Sequence, residues 1–176
     1  GLMDREEAYH DYQFSEKFLK AGIRTHRVIG IIKIEEVVIN KTRTSLRSRN
    51  GRAVLRRRND YHPVIEIRAF GTKSRVENSG REEIEDAKKL VSQELGYKRS
   101  LSDREYAKWF AKILGINLGL MHKNGWAHNY LDPHNITLDC RIVDLDGVRK
   151  SRDLTARETD MYHARSTLQG LLGGAL

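Results

Sequence analysis

The sequence is short of cysteine, proline and long apolar runs, and each shortage removes a class of protein. Its one cysteine, Cys140, has no intrachain partner, which excludes a disulfide framework, and no Cys/His cluster has zinc-finger spacing. A reducing, cytoplasmic setting is therefore the expected one. Two prolines in 176 residues exclude a Pro-rich linker or low-complexity tract. No run of about 18 apolar residues occurs, so no membrane-spanning helix is expected. Gly1-Leu2-Met3-Asp4 lacks a basic stretch leading into an apolar one, so no secretory leader is expected either.

What is present is charge, 32% of the chain, with 32 basic against 24 acidic side chains and a formal net charge of +8. That balance favours anionic partners: nucleotides, nucleic acid or acidic surfaces. Apolar side chains at Ala8, Tyr12, Phe14, Phe18 and Leu19 predict an amphipathic helix over 4–21, stopped by Gly22. The β-branched stretch 27–39 predicts one or two strands, Asn40–Arg52 a turn or loop, and Ala53–Arg57 and Val64–Phe70 two more strands. After a connector at Gly71–Gly80, helical patterning returns at 81–95, about 103–123 and about 156–172. Between the last two helices, Ile136–Leu138 and Arg141–Leu145 predict a tiny hairpin.

The chemistry concentrates in this hairpin and the loop before it. Asn135 and Asp144 stand nine residues apart on either side of the predicted turn, which brings an amide and a carboxylate to one cavity. Hard oxygen donors of this kind clamp Mg²⁺ or Mn²⁺ against phosphate oxygens in phosphoryl and nucleotidyl transfer.

His128…Asn135, with Pro133 between, resembles the catalytic loop of protein-kinase-like enzymes, H-x-D-x-x-x-x-N, and Asp144-Leu145-Asp146-Gly147 resembles their metal-binding Asp motif. A closer likeness is to the selenoprotein O family, kinase-like proteins that transfer AMP to proteins, whose loop reads H-G-x-x-N-T-D-N with a metal-binding Asp nine residues after the Asn. Upstream, Phe14–Val28 resembles that family's helix C and following strand, and Val54-Leu55-Arg56-Arg57 and Ile67-Arg68-Ala69-Phe70-Gly71 resemble its V-L-T-R and H-I-R-x-G segments.

The resemblance implies an α+β, protein-kinase-like fold: a small antiparallel sheet and helix C, packed on a mainly helical lobe. It implies residues 1–75 as a partial N-lobe and 76–176 as a truncated helical C-lobe. No glycine-rich phosphate loop precedes helix C, so the front of the N-lobe is expected to be missing. The implied ligands are ATP and Mg²⁺ or Mn²⁺, with a protein as acceptor. Asn135 and Asp144 would hold the metal, His128 would shape the catalytic loop, and Glu16, Arg57 and Arg68 would serve the nucleotide.

Several positions depart from the pattern, among them Asp132, where selenoprotein O carries Asn. Tyr130 stands where the kinase catalytic Asp belongs, and His134 where selenoprotein O carries a carboxylate. A phenol titrating near pH 10 is a poor base at neutral pH, so Asp132 becomes the expected catalytic carboxylate. The expected function is phosphoryl or AMP transfer to a hydroxyl, or an inactive descendant of such an enzyme. The competing expectation is a basic nucleic-acid-binding or scaffold module, drawn from the arginines at 43, 47, 49, 52, 56, 57 and 58.

Overall fold

Asp4 ends one element and starts the next. In the computed structural model, which describes residues 3–39, 42–45, 62–151 and 153–174, it closes the two-residue strand β1 (Met3–Asp4) and caps helix α1 (Arg5–Lys20). Its carboxylate accepts the Glu6 N–H while Glu7 reaches back to the Asp4 N–H, which satisfies amides that a helix start leaves open. Strands β2 (Arg27–Lys33), β3 (Glu36–Ile39), β4 (Thr42–Ser45) and β5 (Pro63–Ala69) follow. Then come helices α2 (Arg81–Glu94) and α3 (Asp103–Lys123), the short strands β6 (Trp126–Ala127) and β7 (Arg149–Lys150), and helix α4 (Leu154–Gly174). The fold is α+β.

The main sheet has the order β1-β5-β2 and is antiparallel throughout, with Ile32 opposite Ile65 and Val28 opposite Arg68. Strands β3 and β4 form a separate hairpin with Glu36 opposite Ser45. Thr42–Ser45 is therefore strand where a turn or loop was expected. Its Thr-Arg-Thr-Ser sequence carries no apolar alternation to announce a strand, because the hairpin is largely exposed. The expected strand Ala53–Arg57, Arg57 itself and the arginines at 47, 49, 52, 56 and 58 lie outside the described residues; Arg43 is an exposed residue of β4.

Both expected halves of the chain share one hydrophobic cluster. Phe14, Phe18 and Ile23 from the first pack with Tyr106, Phe110, Leu114, Met121, Ile136, Ile142 and Leu171 from the second. In α3 the buried residues Tyr106, Phe110, Leu114, Asn117 and Met121 form one stripe at helical spacing. Burial of each large side chain is worth about 1.5–3 kcal/mol. Asn117 interrupts the stripe because it bridges two segments: its Oδ1 accepts the Arg24 N–H and its Nδ2 donates to the Cys140 carbonyl.

The connector before α2 is tied to the 133–138 segment by backbone bonds from Val76 N–H to Ile136, from Glu77 N–H to Pro133 and from Leu138 N–H to Ser74. Gly71 sits so close to Asp139 that any Cβ there would overlap the carboxylate, which is why the position demands glycine. The expected hairpin at 136–145 is reduced to a bridge between Ile136 and Ile142, with Cys140 in the left-handed region at φ 58°. Instead, β6 and β7 make the ladder that closes the loop, pairing Trp126 with Lys150. Among the described residues no helix is long and apolar enough to cross a membrane.

Candidate functional site

The loop from β6 is built around helix α4. Asp160, fully buried on α4, accepts the backbone N–H groups of His128 and Asn129 at 3.0 and 2.8 Å and lies 3.2 Å from His122 Nε2. Asn129 takes φ 68°, a turn that aims its amide at this carboxylate. His128, also fully buried, donates from Nε2 to the Val143 carbonyl at 3.0 Å. Burial holds its pKa below the ordinary histidine value, so the ring is a neutral strut between the loop and the residue before Asp144. His128 also lines the cleft described below, and its Nδ1 is buried without a hydrogen-bond partner among the described residues.

Beyond Tyr130 the chain enters a 3₁₀ turn, Pro133–Asn135, started by a proline whose missing N–H is no loss there. The turn closes with Asn135 N–H to Asp132 carbonyl at 2.8 Å, and Val143 N–H donates to the Asn135 carbonyl at 3.0 Å. Asn135 and Asp144 are thereby brought to one opening. A cleft of about 410 Å³ is lined by Asn135 and Asp144 together with Tyr130, His134, Asp146 and Met3. Its size is ordinary for a small-molecule site. The Asn135 amide nitrogen donates to the Tyr130 carbonyl at 2.7 Å, which leaves Oδ1 as its ligating atom. Asp144 sits at φ 56°, ψ 61°, a left-handed conformation that costs a non-glycine residue about 1 kcal/mol or more.

Arg68, expected to serve the nucleotide, stands at Asp144 within a wider charged network. Arg68 of β5 donates from Nη1 to Asp144 Oδ1 at 2.5 Å and from Nε to Glu66, and its Nη2 forms an ion pair with Asp11 Oδ2 at 3.1 Å. Arg75 Nη2 stands 3.6 Å from the other Asp144 oxygen, and its Nη1 is buried without a hydrogen-bond partner among the described residues. Asp11, fully buried on α1, also accepts the Leu145 N–H at 2.6 Å and meets His26 Nε2 at 2.6 Å. One carboxylate thus joins α1 and the sheet to the residue after Asp144.

Charge in this network is unevenly distributed. Burial works against the Arg68 guanidinium, but Asp11, Asp144 and Glu66 outweigh it and hold its pKa above the usual value. Arg75 shifts the other way, because burial dominates and Asp144 only partly offsets it. Burial also opposes the Asp11 carboxylate, yet the hydrogen bond and charge of His26, with Arg68, hold it below the ordinary range. Glu66 is pushed up to about 7 by burial and then by the charge on Asp11, with Arg68 opposing.

Glu66 consequently gives a pH signature. Its folded pKa exceeds its unfolded one, so its contribution to stability is full below about pH 4.5 and is lost as pH rises through about 7. Glu66→Gln removes that titration. The stability of the variant relative to wild type should rise by up to about 3 kcal/mol from pH 4.5 to pH 8. Urea denaturation at the two pH values measures it, and a constant difference would refute the assignment.

The other expected site residues are placed as follows. Asp132 is absent from the cleft lining, and its carboxylate pairs with His163 of α4. Glu16 does not reach the cleft: it pairs with Arg27 at 3.1 Å on an exposed edge. The acid of α1 that faces inward is Asp11, because it shares a helical face with Ala8, Phe14 and Phe18. Arg57 lies outside the described residues. Arg75, Asp11 and Asp160 are additions. For the last two a signal existed in the sequence, an acidic residue inside the apolar stripe of an amphipathic helix.

No known protein family matches the chain, and no curated protein does. The fit of a metal is accordingly judged on the donors alone. Among the described residues no three His, Cys, Asp or Glu side chains are gathered as a ligand set. The cleft instead offers one amide and two carboxylates, Asn135, Asp144 and Asp146, a hard-oxygen set suited to Mg²⁺ or Mn²⁺ that retains water and phosphate ligands.

Proposed function

We propose that this chain is a protein-kinase-like ATP- and metal-binding protein that transfers a phosphoryl or AMP group to a hydroxyl acceptor, or descends from an enzyme that did. The observation that carries the reading is the convergence of Asn135 and Asp144 on one cleft, with the guanidinium groups of Arg68 and Arg75 at the Asp144 carboxylate. The resemblance of 128–147 to the kinase catalytic and metal-binding loops supports it.

In this reading Asn135 and Asp144 hold Mg²⁺ or Mn²⁺. When bound, such a cation would supply charge neutralisation to phosphate oxygens held by these residues. Arg68 and Arg75 bind phosphate oxygens through their paired N–H donors. His128 and Asp160 keep the loop at fixed height beneath the cleft, so the amide and carboxylate need no rearrangement when the ligand arrives. Catalysis of this type rests on positioning and electrostatics, and buried struts are what it requires.

Thermal denaturation tests the proposal. Saturating ATP with Mg²⁺ or Mn²⁺ should stabilise the wild type by about 2.7 kcal/mol when the ligand is at 100 times its Kd. The metal-dependent part of that gain, read against the same ATP in EDTA, should vanish in Asp144→Ala. No stabilisation of the wild type, or an equal metal-dependent gain in the variant, would refute the proposal. Stabilisation by RNA with steep salt dependence, and none by ATP, would favour the nucleic-acid-binding alternative.

A further inference from the structure

Asp144 is 40% exposed and lines the cleft beside Asp146, yet both of its carboxylate oxygens have a guanidinium within ion-pair distance. One of its oxygens accepts from Arg68 at 2.5 Å and the other lies 3.6 Å from Arg75. Arg68 is not a loose surface side chain that drifted there. It is mostly buried, at 13% exposure, and Asp11 of α1 and Glu66 of β5 hold its remaining nitrogens. The guanidinium is therefore a fixed bridge with two anchors above the cleft and one below.

The consequence is a charge problem for a bare cation. A divalent ion approaching Asp144 meets two guanidinium groups within ion-pair distance of the same carboxylate, and their repulsion opposes the attraction that Asp144 and Asp146 supply. Arg75 adds a further observation, because its buried Nη1 has no hydrogen-bond partner among the described residues. An unsatisfied cationic donor beside an already paired carboxylate calls for an anion. A polyphosphate supplies one: its oxygens satisfy Arg75, replace Asp144 as the partner of Arg68 Nη1, and leave the carboxylate to the metal.

We infer that the cleft admits a divalent cation only as its polyphosphate complex, and that Arg68 and Arg75 set this selectivity by occupying Asp144 until phosphate displaces them. The inference rests on the proposed nucleotide site and deepens it. Asp11 and Glu66 are the anchors that return Arg68 to place, and Asp144 is the shared partner for which guanidinium and metal compete.

Electron paramagnetic resonance of free Mn²⁺ tests it, with Mn²⁺ alone and with Mn²⁺ complexed to a non-hydrolysable ATP analogue. The wild type should bind the complex at least about ten-fold more tightly than the bare ion, the effect of removing roughly one opposing charge interaction. Arg68→Met should invert the pattern, with bare Mn²⁺ bound about ten-fold more tightly than by wild type and the analogue bound more weakly. Arg75→Met, a change at a more exposed side chain, should shift both affinities the same way and serves if Arg68→Met fails to fold. Adding Asp144→Asn to either variant should abolish the gained Mn²⁺ affinity. Equal wild-type affinity for the ion and the complex overturns the inference and leaves the nucleotide site standing, as does unchanged Mn²⁺ binding in both arginine variants. Failure of the wild type to bind the complex at all overturns the nucleotide site and the inference with it.

Discussion

Asp160→Ala is expected to lower the unfolding free energy by about 3–5 kcal/mol, since three donors lose their acceptor at once. The carboxylate is fully buried, and its partners are the amides of His128 and Asn129 and the ring of His122. A buried N–H left unpaired costs about 1–3 kcal/mol, and the methyl group of alanine restores none of these bonds. Asp160→Asn should cost roughly half as much, because it keeps one carbonyl oxygen but turns an NH₂ group toward a backbone donor. Urea denaturation gives both values. A loss below about 1 kcal/mol for the alanine variant would mean that the loop holds itself in place without α4.

Asp11→Ala should destabilise the chain by a comparable amount, about 3–5 kcal/mol, for a different reason. Removal of this buried acid leaves the Leu145 N–H and His26 Nε2 without their acceptor and takes one of three carboxylates from Arg68, a guanidinium that is itself largely buried. The pH dependence distinguishes this from a simple packing defect. Because the folded pKa of Asp11 lies below its unfolded value, its contribution is present above about pH 4 and is lost as pH falls through the folded pKa. The advantage of wild type over Asp11→Ala should therefore shrink under acid, whereas wild type loses stability relative to Glu66→Gln as pH rises. A gap that stays constant down to about pH 2 would refute the charge-based account.

How much of this was legible beforehand depended on period and length. Helices α1, α2, α3 and α4 and strands β2 and β5 announce themselves through apolar repeats, and the structure has them within a few residues of the expected bounds. Strand β4 escapes because Thr42–Ser45 is polar and exposed, and β6 and β7 are two residues each, too short to carry any period. The apolar residues of 136–145 suggest a hairpin that the fold reduces to one bridge. Those side chains are buried, but left-handed turns at Cys140 and Asp144 bend the chain away from a continuous ladder.

The candidate site divides along similar lines. Asn135 and Asp144 were legible from their spacing about a turn, and they do line one cleft. The resemblance implies Glu16 from a linear motif, which says nothing of helix face, and the inward acid is Asp11, five positions earlier. Asp132 is the nearest loop carboxylate in the sequence, while the fold uses it to pair with α4. Arg75 lies in a connector with no pattern to mark it.

The backbone bonds that join residues 74–77 to 133–138, with glycine at position 71 seated on Asp139, bear on how anything enters the cleft. A clamshell gape of sheet away from helices would have to tear this seam, so the segment between β5 and α2 behaves as a weld and not as a pivot. Were a ligand to enter as proposed, it would pass the rim where the half-exposed ring of His134 and the exposed Tyr130 stand.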